Sequence, residues 1–299
     1  MPASRATGPG HGFRFRRLEK PEEFRHAEEL LRSAAGVDGD LYVPAPLQRS
    51  LQDNGGLVLG GFADIYLAGC AISTIGWDGA ALYHHSLATV VRPEYRNHGI
   101  GFRLKAFQRD EVLALGLSEI RWVFDPLASR AASLSVRRLG AAPDRYLPHY
   151  YGQLADDANR GIETDRVRVR WSIASPGVES RVGGSLPTTE EVTERWTRSV
   201  ALVETEPGES GLRAPTAVVD PDGRPAHLEI PFDLDLVRQH EPSSLPRWRH
   251  AVRDAFRAAF DSRYTVDDFA VVSAAHERRS FYFLSPSPSA DGPSRAPSA

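Results

Sequence analysis

The chain has 299 residues, 36 lysines and arginines against 39 aspartates and glutamates, and a formal net charge of -3. That length suits one large domain or two modest ones with a real core, and so even a charge balance gives no ground for a nucleic-acid or membrane-surface partner. Cys70 is the single cysteine, which excludes an intrachain disulfide, and no run is apolar enough to span a bilayer or to serve as a secretory signal, so the expected compartment is the cytoplasm.

Residues 1–12, rich in Gly and Pro, are expected to be disordered. Phe13 to Leu18 alternates as a half-buried strand. Pro21 opens a helix from Glu22 to Ala35, with Phe24, Leu30 and Leu31 available to pack and Gly36 to end it. Pro44 and Pro46 precede a shorter helix, Leu47 to Gln52. After the turn at Asn54-Gly55-Gly56, Leu57 to Ala63 and Tyr66 to Thr74 read as strands, and Asp78-Gly79 signals a hairpin into a third, Ala81 to Arg92. Ile100, Leu104 and Phe107 have helical spacing in a segment closed by Gly116. Ile120 to Phe124 is a buried strand ended by Asp125-Pro126; Ser129 to Leu139 is a helix stopped by Gly140; Thr164 to Ile173 alternates as the last strand of this half.

The junction of the third strand and its helix carries the most chemistry. Val90-Val91-Arg92-Pro93-Glu94-Tyr95 leads into Arg96-Asn97-His98-Gly99-Ile100-Gly101, an Arg-x-x-Gly-x-Gly turn followed at once by the helix. Two glycines let the backbone turn so that successive N–H groups converge at a helix amino end, where the dipole and the orphan amides both favour anionic oxygens. With the residues before it, this stretch resembles the acyl-CoA-binding motif of the GNAT acetyltransferase superfamily. Phe124-Asp125-Pro126-Leu127, Leu139-Gly140-Ala141, Tyr146-Leu147-Pro148 and Tyr151-Gly152 extend the likeness to a bacterial group of GNAT acetyltransferases of about this length. The resemblance covers the N-terminal half well and the rest more weakly. It implies an α/β fold with a mixed, splayed central sheet and helices on both faces.

Ser175-Pro176-Gly177 and Gly183-Gly184 mark a linker, residues 175–187, between a GNAT domain at 13–174 and a second α/β part at 188–284. In that second part Thr189 to Trp196 is a short helix, Leu228 to Pro231 a strand, and Pro246 opens a helix carrying Trp248, Val252, Ala255, Phe256 and Ala259 on one face; Phe269 to Ser273 and Phe281 to Leu284 are strands. This order echoes the first half from Thr89 onward without a Gly-x-Gly turn, as either a degenerate GNAT-like repeat or an unrelated extension. Residues 285–299, rich in Ser and Pro, are expected to be a disordered tail.

The resemblance implies direct attack of an amine on the thioester of acetyl-CoA or another short-chain acyl-CoA, with no covalent intermediate and no metal. Cys70 is then a strand or core residue. The backbone of Val90, Val91 and Arg92 would line the cofactor, with an amide near Val91 donating to the thioester oxygen. Arg96, Asn97, His98, Gly99, Ile100, Gly101 and Phe102 would hold its phosphates. For the base, His84 and His85 lie on the same strand on opposite faces, and which face meets substrate is open. Asp125 is another candidate, against a turn role before Pro126. The tyrosine that many members use to protonate the leaving thiolate is replaced by Val136, counting back from Gly140; Tyr146, His149, Tyr150 and Tyr151 follow and could substitute, or pack as aromatics. Arg137 and Arg138 could meet a carboxylate on the acceptor or on a dicarboxylic acyl group such as succinyl, or form a solvated face. Trp248 reads as core, and Arg249 and Arg253 as surface. Lys20 and Lys105, the only lysines, suggest a GC-rich genome.

The sequence therefore points to an N-acyltransferase transferring an acetyl or other short acyl group, with malonyl and succinyl among the options, to a small-molecule amine such as an amino acid. A homodimer is left open. The rival readings are a GNAT-fold acyl-CoA decarboxylase or O-acyltransferase, and a non-catalytic CoA-binding module.

Overall fold

The computed structural model describes residues 12–35, 43–154, 162–208, 210–274 and 277–287. The expectations for residues 1–11 and 288–299 and for a helix stop at Gly36 lie outside the described residues. In chain order the elements begin with β1 (Phe13–Arg17), α1 (Pro21–Ala35), α2 (Ala45–Asp53), β2 (Leu57–Ala63), β3 (Tyr66–Trp77), β4 (Leu82–Val91) and α3 (Ile100–Ala114). Then come β5 (Glu119–Phe124), α4 (Ser129–Ala132, continued by a π-helical turn, Ser133–Arg138), β6 (Ala142–Leu147), β7 (Arg166–Ser172), α5 (Pro176–Val182) and α6 (Thr189–Arg198). The remainder is β8 (Val200–Ala201), β9 (Val203–Pro207), β10 (Arg213–Val218), β11 (Ala226–Ile230), α7 (Leu234–His240), α8 (Leu245–Asp261), β12 (Tyr264–Ala274) and β13 (Glu277–Pro286). Among the described residues no helix is long and apolar enough to cross a membrane.

The chain forms two compact units; the first holds the described residues up to Trp122 together with Trp171–Glu179, and the second most of the rest. In the first unit β1, β2, β3 and β4 are successive antiparallel neighbours, and β5 joins parallel to β4, so the sheet is mixed as expected. One face is sealed by α1: Phe24, Ala27, Leu30 and Leu31 pack with Leu18, Val58, Cys70 and Ile72, all at most 2% exposed. The other face takes α3, whose buried Ile100, Leu104, Gln108 and Val112 recur every four residues. At Gly69 on β3 an added Cβ would come within 2.8 Å of the Val90 carbonyl and 3.2 Å of both Ile100 and Leu104 side chains, so glycine is what admits α3 this closely.

Two features of β4 matter for function. Ala88 pairs with Ile72 and Ser86 with Ser73, which leaves Leu87 as an extra residue, a β-bulge. Next, β4 and β5 pair only at His84 with Ile120 and His85 with Arg121, after which the strands part. The expected splay is thus present, and it opens just where β4 is bulged.

In the second unit β6 pairs antiparallel with β7, with a slip at Asp144. The alternation rule did not reveal β6, because Pro143 and Asp144 interrupt it; Pro is tolerated at such an irregularity. A separate sheet has the order β12-β13-β11-β8, with β8 parallel to β11. Here β13 lies between β11 and β12, as β7 lies between β5 and β6. The α8 face of Trp248, Val252, Ala255, Phe256 and Ala259 is buried as expected. The span 175–187 contains α5, whose first turn is closed by the Val178 amide on Ser175 Oγ at 3.4 Å, and the division between the units at Glu179 and Ser180 falls within it. One expectation is corrected: the tail assigned from Ser285 is still strand there, since β13 continues to Pro286.

Candidate functional site

At the end of β4 the chain is anchored before it turns. The Arg92 amide donates to the Ala68 carbonyl at 2.9 Å, and Arg92 Nε donates to the Leu67 carbonyl at 2.7 Å. Pro93–Tyr95 makes one tight helical turn, in which the Arg96 amide reaches the Pro93 carbonyl at 3.2 Å. Two left-handed residues follow, Asn97 at φ 66° and Gly99 at φ 73°. A Cβ at Gly99 would meet nothing within 4 Å, so the demand for glycine comes from the torsion. Gly99 is the N-cap of α3, and no side chain caps that end. The first-turn amides at Ile100 and Gly101 stand at the positive pole of the helix, a setting that favours anionic oxygen.

The flanks suit the same ligand. Arg96, Asn97 and His98 are exposed, His98 Nδ1 lies 2.8 Å from the Arg96 carbonyl, and Arg96 Nε lies 3.4 Å from the Val91 carbonyl. Arg103, not singled out from the sequence, stacks on Phe15 at 4.7 Å from the ring centre and donates to the Phe13 carbonyl at 3.3 Å. Val90 and Val91 pair with Cys70 and Gly69 on one edge of β4, while the other edge has no pairing to β5 beyond His85. All ten expected cofactor residues thus belong to one continuous strand, turn and helix start. Together they form a left-handed turn at an uncapped helix end, with a strand edge not paired to β5 leading into it.

The histidines separate by environment. His84 is fully buried, with Nδ1 2.9 Å from Ser73 Oγ and Nε2 3.1 Å from the Gly55 carbonyl. A carbonyl only accepts, so Nε2 carries a proton. Burial holds the pKa of His84 below the ordinary value, and its two nitrogens are already committed. It is a structural residue. His85 is half-buried, hydrogen-bonded to the Arg121 main chain and edge-on to Tyr83; burial first, and the Lys105 charge second, lower its pKa.

Lys105 was missed as a site residue. It is 3% exposed, and Nζ lies 2.8 Å from Ser86 Oγ, 3.0 Å from Gln108 Oε1 and 4.0 Å above the Trp122 ring. No carboxylate among the described residues pairs with it, and burial lowers its pKa to about 7. Cys70 is fully buried with its thiol pushed up to about 12 by burial, in keeping with the core role expected for it.

The remaining candidates lie in the second unit, and the structure uses them to hold charge. Asp125 is bound bidentately by Arg249, 2.8 Å to each oxygen, and also accepts the Leu127 amide at 2.9 Å. Its carboxylate is thereby occupied, which argues against a base. Arg249, expected at the surface, has no exposed area, a correction that the Asp125 pair explains. Tyr146 is 8% exposed and donates to Asp165 Oδ2 at 2.8 Å; burial and the Asp165 charge raise its pKa, the wrong direction for an acid. Asp165 also binds Arg253 Nε and Nη2 at 2.8 Å and the His149 amide at 3.0 Å. Tyr150 is 44% exposed and packs edge-on to Tyr151. Arg137 donates to buried Asp268 at 2.9 Å and to the Pro187 carbonyl at 2.6 Å, so it is not open to a ligand carboxylate; Arg138 is exposed.

No family model and no curated protein matches the chain. Among solved structures it is similar to an alanine N-acetyltransferase of a ribosomal protein from Escherichia coli, at 17% identity and a TM-score of 0.45, over 56% of this chain and 97% of that one. It is similar to an acetyltransferase of the GNAT family from Streptococcus pneumoniae, at 15% identity and a TM-score of 0.44, over 53% and 98% of the two chains. An aminoglycoside 6'-acetyltransferase of type Ii gives 18% identity and a TM-score of 0.44, over 54% and 97%. Such likeness fixes neither acceptor nor acyl group.

Two stability measurements check the charge assignments. Asp125→Ala leaves the Arg249 guanidinium buried without its partner, and denaturant unfolding is expected to show a loss of about 3–5 kcal/mol. Lys105 is the opposite case. Its folded pKa of about 7 lies below its unfolded value, so between the two the unfolded chain holds a proton that the folded chain does not, and stability rises with pH across that window. Lys105→Met is therefore expected to raise the urea midpoint at pH 6, and the gain should fade toward pH 10.

Proposed function

We propose that the chain is an acyl-CoA-dependent N-acyltransferase of the GNAT type, moving a short acyl group to the amine of a small molecule. The observation that carries this reading is the union of two features on β4: an edge left unpaired beyond His85, and the left-handed turn at Asn97 and Gly99 that delivers it to the bare amino end of α3. The turn amides would hold the CoA pyrophosphate with Arg96 beside it. Amides of the open stretch from Leu87 to Val91 would bind the pantetheine arm and the thioester oxygen, as backbone donors do for a developing oxyanion.

Within this reading His85 is the proton acceptor. It is half-buried, it sits at the last pair before the strands part, and its lowered pKa keeps the imidazole neutral at pH 7. The amine attacks the thioester carbonyl, its proton passes to His85, and the thiolate leaves to be protonated by water.

Calorimetry tests the cofactor site. Acetyl-CoA is expected to bind the wild type and to lose that binding in Gly99→Glu, whose side chain brings a negative charge and a strained torsion to the turn. No binding of any acyl-CoA by the wild type would sink the proposal. For the base, His85→Gln is expected to lower kcat about 100-fold. The wild-type rate should be flat above neutrality and fall in acid, with a midpoint below the ordinary histidine value.

A further inference from the structure

Lys105 poses a problem that the proposed reaction does not use. The chain has 36 basic residues and only two are lysines, Lys20 and Lys105. Arginine is the residue this chain buries in ion pairs, as at Arg249, whereas Lys105 is buried with no acid. Taking an ammonium out of water without a counter-charge is costly, so a site that keeps one has a use for it or a ligand for it.

Its surroundings supply the second observation. Gln108 has no exposed area, and because its Oε1 receives the Lys105 bond, its Nε2 is the free end; that atom has no hydrogen-bond partner. Thr89 Oγ1 is likewise buried and unpartnered. Thr89 opposes Ala71 and Ser86 opposes Ser73, and residues two apart on β3 share a face, so the Leu87 bulge brings Thr89 and Ser86 to the same side of the sheet. Lys105 and Gln108 of α3 bond to Ser86 on that side. The cluster of Lys105, Ser86 and Gln108 therefore combines a cation with one spare donor and lacks an anion, and a second spare donor, Thr89 Oγ1, lies on the same side of the sheet.

Its place in the sheet names the ligand. The last pair joining β4 to β5 is His85 with Arg121; Ser86 and Trp122 are the next residue on each strand, and Lys105 Nζ touches both. Lys105 thus sits at the inner end of the splay, while the phosphate-binding turn lies at the outer end of β4. We propose that this cluster receives the terminal carboxylate of the acyl group, which makes the preferred donor a dicarboxylic acyl-CoA of the malonyl or succinyl kind. The inference rests on the acyl-CoA reading above. It replaces Arg137, whose guanidinium is held by Asp268, as the carboxylate partner. Lys105 would bring the charge, and Gln108 Nε2 and Thr89 Oγ1 would donate to the carboxylate oxygens.

The test compares acetyl-, malonyl- and succinyl-CoA by calorimetry at pH 8, in buffers of different ionisation heat. Binding a carboxylate raises the Lys105 pKa, so at least one dicarboxylic donor is expected to bind about tenfold more tightly than acetyl-CoA and to take up a proton that acetyl-CoA does not. The other titratable groups near Lys105 are His84 and His85 on β4, so the proton must be located. With lysine labelled at 13Cε, the protein gives signals from only two lysines. The Lys105 signal should move with the dicarboxylic donor and stay in place with acetyl-CoA, while Lys20 serves as control. Lys105→Met is expected to reduce the ratio of dicarboxylic to acetyl affinity about tenfold; the labelled wild type decides the matter if that variant does not fold. Equal affinities with an unmoved Lys105 signal would overturn the inference and leave the CoA site standing. Failure of all three donors to bind would overturn both.

Discussion

The constraint on which the first unit depends is that β4 cannot stay paired to β5. A regular parallel ladder would satisfy every main-chain group between the two strands and leave nothing for a ligand. The extra residue at Leu87 breaks this arrangement: it shifts the register against β3 by one, moves the following side chains to the other face, and coincides with the point where β5 departs. The exposed amides beyond it would be an unmet cost unless something extended lies along them. Under the proposed function a cofactor arm pairing with the strand edge would meet that cost, so the irregularity that weakens the sheet would also create the binding edge. Gly69 and Gly99 belong to this arrangement, the first letting α3 press close to β3 and the second turning the chain onto its amino end.

Charge is handled differently in the two units. The second unit neutralises what it buries. Arg249 meets Asp125, Arg253 meets Asp165, Arg137 and Arg181 share Asp268, and Arg279 grips Glu229. Most of these pairs join residues far apart in sequence, which ties β12, α8 and β13 to earlier segments of the same unit. Such pairs resist breaking more than they add net stability, since both ions have already been desolvated. The first unit, around Lys105, does the reverse and keeps a cation unmatched. Arginine would be charged at that position under all conditions, whereas a buried lysine can surrender its proton and wait as a neutral amine.

Much of the fold was legible. Hydrophobic alternation and the glycine and proline punctuation located β1 to β5, α1 to α3 and α8 to within a few residues, because those elements bury one regular face. Several elements escaped, among them β6, which carries Pro143 and Asp144, and β8, which has two residues; α5, β9, β10 and α7 were not anticipated either. The turn before α3 was legible because the torsions at Asn97 and Gly99 and the uncapped helix end are local properties of a short stretch. Side-chain partners across long separations were not. Nothing near Asp125 in sequence announces that Arg249 will occupy its carboxylate, and nothing near His84 announces Gly55.

Lys105 illustrates the limit most sharply, because its signal was present and was read as composition alone. A chain that uses arginine almost everywhere has relinquished lysine where only a solvated positive charge is needed, so a lysine kept in an apolar stripe is informative about protonation. The stripe itself obscures it: Ile100, Leu104, Gln108 and Val112 satisfy the helical period, and Lys105 falls one residue beside it, where a long stem can still reach inward. Its burial becomes evident only when β4 and β5 are seen to part beneath it. The property that makes the residue costly to the fold, a charge with no partner, is also what would let it recognise a ligand that brings the partner.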